Sequence, residues 1–188
     1  MKPLAHGPGG LAVSSWIERF AHLVPAGARL LDVAAGHGRH ALFFAARGAR
    51  VVAVDRDRAA LATFQGTSRI ETRVLDLEAL QWPLAGETFD AIVVVHYLHR
   101  RTLQALLDAL APTGTLLYET FAAGNERFGR PSNPDFLLHP GELADTVRGR
   151  LTVVAFEQGQ IGGERPAVLQ RLAAVGLARA WPPPLSPA

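Results

Sequence analysis

A chain of 188 residues, 48% of them hydrophobic, suits one globular domain with a full core and leaves little room for a second. It contains 0 cysteines, which excludes disulfides, thiolate nucleophiles, zinc–thiolate sites and iron–sulfur clusters. The formal charge is only +2 and Lys2 is the only lysine among 19 basic residues, without any long basic run, which argues against nucleic acid as a partner.

No apolar stretch is long enough to span a membrane. Met1 to Gly10 lacks the charged start and apolar run of a secretory signal, so the expected location is the cytoplasm.

In chain order, Ser15 and Glu18 have capping-box spacing, and Trp16, Ile17, Phe20, Leu23 and Val24 mark one face of a helix over 14–24. This helix is expected to pack on the domain or over the cofactor site. Residues 28–33 read as a short buried strand, 39–47 as a helix stopped by Gly48, and 50–54 as a second strand. Asp57 is placed to cap a short helix over 57–64, and 70–75 is a third strand. Residues 89–95 are β-branched and continuous, as a strand covered on both faces should be.

Leu103, Leu106, Leu107 and Leu110 then recur at helical spacing, with Thr102 as the expected cap and Pro112 and Gly114 as the stop. Residues 115–120 are a fifth strand, 141–149 a helix, 151–157 a sixth strand and 167–174 a seventh.

The alternation predicts an α/β fold, a seven-stranded and mostly parallel sheet with helices on both faces. Residues 158–166 are too few for a helical crossover, so the last two strands should form a C-terminal antiparallel β-hairpin, with the sixth strand parallel to the first five. Residues 1–180 are read as one domain and the proline-rich 181–188 as a loose tail.

The turn after the first strand carries Gly36, His37 and Gly38 ahead of a helix start. Small residues let a backbone approach a ligand, and free helix-start amides favour anionic groups. This spacing alone also fits a dinucleotide fingerprint, so a nicotinamide-dependent oxidoreductase stays open on the glycines. Three acids sharpen the pattern. Asp32 lies inside the first strand end, Asp55 ends the second strand, and Asp76 ends the third. All three fall where ligands bind in parallel sheets, at the carboxyl edge.

The sequence Asp32-Val33-Ala34-Ala35-Gly36-His37-Gly38 resembles the first motif of class I S-adenosylmethionine-dependent methyltransferases, which have a Rossmann-like fold. Asp55, Asp76-Leu77 and Phe89-Asp90 resemble the next three motifs in order. Gly38 to Gly48 and Phe136 to Leu143 are similar to the tellurite-resistance (TehB-like) branch of small bacterial enzymes.

The resemblance implies S-adenosyl-L-methionine as cofactor. Asp55 with Arg56 would serve its ribose, and Asp76 and the Leu77 amide its adenine. The turn Asp32, Ala34, Gly36, His37, Gly38 and the backbone near Val95 would hold the methionine end. Trp82 or Leu77 would pack on the ring. Ala34 stands where the family has its first glycine, which implies an ordinary φ there.

Methyl transfer needs alignment, exclusion of water and sometimes proton removal. His96 is the best base or orienting group, Tyr97 a neighbour for stacking or hydrogen bonding, and His99 a structural residue. Residues 121–140 lack periodicity and carry Asn125, Arg127, Phe128, Arg130 and Asn133, as a lid with anion-binding groups would. His40, Arg127 and Arg165 are the expected substrate residues, around an anionic or chalcogen-containing small acceptor. No metal site is expected, because no carboxylate–histidine cluster has ligand spacing. Beside the enzyme reading stands a non-catalytic protein that binds the same cofactor. Monomer and homodimer are both compatible with the sequence.

Overall fold

The apolar run Phe89–Val95 (β4) needs cover on both faces, and it takes the middle of a seven-stranded sheet. The computed structural model describes residues 12–185, so the expectations on Met1 to Gly10 and on 186–188 lie outside the described residues. The strand order is β3-β2-β1-β4-β5-β7-β6, with β1 (Arg29–Val33), β2 (Arg50–Asp55), β3 (Ile70–Val74), β5 (Leu110–Phe121), β6 (Leu151–Ile161) and β7 (Ala167–Gly176). The first five strands pair in parallel, and β7 is antiparallel to both β5 and β6. The predicted terminal hairpin is therefore present, and β6 runs in the direction of the first five strands.

Helices α1 (Ser15–Phe20), α2 (Arg39–Ala46) and α3 (Arg58–Ala62) cover one face. There Trp16, Phe20 and Phe44 pack on Leu30, Val93 and Leu117. Helices α4 (Arg100–Asp108) and α5 (Glu142–Val147) cover the other, where Leu106 and Leu143 meet Ile92, Tyr118 and Leu172. Among the described residues no helix is long and apolar enough to cross a membrane.

Three local expectations are corrected. Ser14, not Ser15, caps α1: its hydroxyl accepts from the N–H groups of Trp16 (3.2 Å) and Ile17 (3.4 Å). The helix breaks into a tighter 3-10 turn at Ala21–Leu23, and Trp16 Nε1 donates to the Leu172 carbonyl, so α1 packs on the sheet.

Thr102 does not cap α4. It lies within the first turn, and its hydroxyl donates back to the His99 carbonyl at 2.8 Å.

Helix α4 stops at Asp108, well before Pro112. The Phe89 N–H already donates to the Ala109 carbonyl, so the sheet captures the chain there, and the register shift between Phe89 and Ala91 absorbs the residues around Pro112. That bulge is tight, since a Cβ on Gly176 would sit 2.1 Å from the Pro112 carbonyl oxygen.

The described part of the tail makes two contacts with the domain. Pro183 is buried, and a His22 ring nitrogen lies 3.0 Å from the Pro184 carbonyl oxygen.

Candidate functional site

The carboxyl ends of β1, β2 and β3 form one wall of a cleft. After β1 the chain turns through Ala34 (φ 53°), Gly36 (φ 53°) and Gly38 (φ 76°) into α2. The ordinary φ expected at Ala34 is not found. The Ala35 N–H donates to the Val54 carbonyl at 3.0 Å, and this pairing forces Ala34 into the left-handed region in spite of its Cβ. Gly38 has a steric reason as well, since a Cβ there would lie 2.7 Å from the Phe64 ring. Around Gly36 a Cβ would meet nothing within 4 Å, which leaves open space beside the turn.

Asp55 ties the turn to β2. One carboxylate oxygen accepts from the Gly36 N–H (2.8 Å) and the other from the Asp57 N–H (2.9 Å). Each oxygen keeps acceptor capacity toward the cleft. Asp76 is held similarly, with Oδ1 accepting from the Glu78 N–H at 2.9 Å. The cleft has a volume of about 210 Å³ and opens to solvent, and Ala34, Asp55, Arg56, Asp76, Leu77 and Tyr97 line it. Five of the residues expected at a cofactor thus converge. His37 points outward and is exposed, while Trp82 packs against the core with Leu77 in the cleft wall.

Asp32 sits beneath the turn at 1% exposure, and its Oδ2 has no hydrogen-bond partner. Burial pushes its carboxyl from 3.8 up to about 7, with the Ala41 N–H and the Arg39 guanidinium pulling the other way. A cationic group at the turn would supply the missing partner.

The structure redistributes the expected acceptor residues. Tyr97 lines that cleft rather than standing beside His96, and burial raises its hydroxyl to about 12. His40 is 4% exposed, and its Nε2 accepts from the Ser14 N–H at 3.2 Å; burial first, then Arg39 and His96, lower it to about 3. It is a neutral structural acceptor, not a substrate group. The Arg127 Nε donates to the Gly124 carbonyl at 3.1 Å and its guanidinium lies over Phe128, so it serves its own turn. Arg165 is exposed in the turn 162–166.

The loop 121–140 is pinned rather than lid-like. Asn125 is buried and bridges the Pro131 carbonyl and the Val168 N–H, and Asn133 caps a 3-10 turn at Pro134–Phe136. Arg100 grips the Glu142 carboxylate together with the Asp135 and Leu137 carbonyls.

His96 does reach the carboxyl edge, directly after Val95, in a left-handed conformation (φ 58°). Its ring lies 4.6 Å from that of Phe121 and its Nε2 4.0 Å from Glu119 Oε1. Burial, reinforced by Arg39 and opposed by Glu119, holds the imidazole below its ordinary value, hence neutral near neutrality. Glu119 and Arg171, which share this region, were missed in the sequence. The available signal was a carboxylate near the end of the otherwise apolar run Leu116-Leu117-Tyr118. Among the described residues no group of three or more His, Cys, Asp or Glu is arranged to hold a metal ion.

Residues 30–114 match the family model described as a methyltransferase domain. Over these residues the chain is similar to class I, S-adenosylmethionine-dependent methyltransferase domains. That removes the nicotinamide reading left open by the glycine spacing.

The chain is 33% identical over 95 residues to a tRNA U34 carboxymethyltransferase of Desulfotalea psychrophila, covering 48% of this chain and 27% of that protein. It is 33% identical over 106 residues to a demethylmenaquinone methyltransferase of Clavibacter sepedonicus, covering 52% and 42%. The chain thus spans less than half the length of these curated relatives. In fold it is similar to TehB from Haemophilus influenzae (TM-score 0.68, 17% identity, 83% of this chain and 60% of that one). A Burkholderia thailandensis 1,6-didemethyltoxoflavin N1-methyltransferase, solved with its substrate and S-adenosylhomocysteine, is similar too (TM-score 0.62, 23% identity, 85% and 75%).

Proposed function

We propose that this chain transfers the methyl group of S-adenosyl-L-methionine to a small-molecule acceptor held at the carboxyl ends of β4 and β5. The observation that carries the reading is the cleft of Ala34, Asp55, Arg56, Asp76, Leu77 and Tyr97 beneath a glycine turn braced by Asp55. The residues fit the group. Asp55 retains acceptor capacity for ribose hydroxyls, Asp76 for an exocyclic amine, and the unpartnered Asp32 for the methionine ammonium through the turn. When bound, the cofactor supplies an electrophilic methyl group on a sulfonium. The protein binds and orients both partners, and His96 is the group positioned to take a proton.

An anionic or chalcogen-containing acceptor has less support, because Arg127 and Arg165 do not converge and Arg171 is already paired with Glu119. Calorimetric titration with S-adenosylhomocysteine tests the reading. Binding is expected, and no detectable heat at millimolar ligand would sink it.

A further inference from the structure

Among the described residues, Glu119 and Asp32 are the buried carboxylates, and only Asp32 is explained by the cofactor cleft. The strand register sets Glu119 beside Val95 on one side and Arg171 on the other, and Arg171 beside Glu157. Glu119 Oε2 accepts from Arg171 Nε at 2.7 Å. Arg171 also has Glu157 at 3.5 Å, so it does not need Glu119 for neutrality.

The other oxygen of Glu119, Oε1, faces His96 Nε2 at 4.0 Å. The His96 N–H donates to the Glu119 carbonyl at 2.9 Å, so the same residue fixes the backbone from which the ring projects. The left-handed φ of His96 is strain held by that bond, of the kind that collects at functional sites. The His96 side chain is 42% exposed and that of Glu119 5%, so the imidazole meets solvent or substrate while the carboxylate behind it is enclosed.

We propose that Glu119 is a positioning residue that orients His96 and stabilises its protonated form, so that the methyl acceptor is one whose reacting atom carries a proton. This rests on the methyltransferase reading above. Hydroxyl, thiol and N–H acceptors belong to the class; tertiary amines and thioethers do not. In the step, the bond from the acceptor atom to the methyl carbon forms and the sulfur–carbon bond breaks, its electron pair staying on sulfur. The acceptor's proton passes to His96 Nδ1, the ring nitrogen turned away from Glu119. The titratable and charged groups around His96 are Arg39 and the neutral His40 from α2, Glu119 from β5 and, behind it, Arg171 from β7.

The test is an NMR titration of the His96 ring in the full-length protein, assigned by its loss in His96→Asn. Glu119→Gln should lower the His96 pKa by about one unit, and Glu119→Asp by less. Glu157→Gln, which also strips a carboxylate from Arg171, should leave it in place. A His96 pKa unmoved by Glu119→Gln, or moved as far by Glu157→Gln, overturns the proposal. Where Glu119→Gln does not fold, the Glu119→Asp comparison decides alone. Turnover confined to tertiary amines or thioethers in an acceptor panel would also overturn it. Failure to bind S-adenosylhomocysteine would refute the proposed function while leaving the His96–Glu119 coupling readable by NMR, so the two failures are separable.

Discussion

Replacing Asp32 by Asn should stabilise the ligand-free protein, and by more at high pH than at low. Asp32 is fully enclosed, with one oxygen unpartnered, and burial holds its carboxyl at about 7 instead of 3.8. Below the ordinary aspartate range the folded and unfolded chains both keep the proton, and the site costs nothing. As pH rises toward about 7 the unfolded chain ionises first, so folded stability falls; above that the penalty is complete. A shift of about three units at roughly 1.4 kcal/mol each gives an upper figure of about 4 kcal/mol, of which about 2 to 3 kcal/mol develops between pH of about 5 and 8. Asparagine keeps the shape and cannot ionise, and every other titrating group is common to both proteins and cancels. Urea denaturation of wild type and Asp32→Asn at the two pH values measures the difference. Equal stabilisation at both would refute a raised Asp32 pKa.

Three further outcomes follow from the geometry. Ala34→Gly should raise stability by about 0.5 to 1 kcal/mol, the relief of a left-handed alanine less the extra freedom of the unfolded glycine, read as a melting-temperature rise of a few degrees. Asp55→Ala should abolish S-adenosylhomocysteine binding in calorimetry; because it orphans two backbone N–H groups it should also cost about 1 to 3 kcal/mol while circular dichroism stays native. Arg100→Met should release the loop 121–140, giving new sites of limited proteolysis there and a loss of about 1 to 2 kcal/mol, because Glu142 keeps only the His139 N–H and the Leu137 carbonyl loses its donor.

The sheet was legible because burial on both faces writes itself as continuous β-branched runs, as in Ile92-Val93-Val94-Val95, and because an acid stands at or near the end of three successive strands. The cofactor wall was legible for the same reason: Asp55, Asp76 and the glycine turn are placed by strand ends, a local property. What was hidden depends on partners distant in sequence. His40 looks available until Ser14, 26 residues earlier, is seen to occupy its ring nitrogen. The loop 121–140 looks free until Arg100 and Val168 are found holding it. The left-handed Ala34 answers to a hydrogen bond from its neighbour to β2, which no turn statistic for alanine would suggest.

The order of the strands has a consequence for how such a protein can be altered. The residues that line the cleft are complete by Tyr97, whereas Glu119, Phe121 and Arg171 come from the second half of the chain. His96 stands at the seam. On the proposed function, acceptor preference should therefore be exchangeable by splicing a different second half after residues 97–99, with the half that lines the cleft inherited intact, provided that the foreign segment brings a counterpart of Glu119 to meet the imidazole.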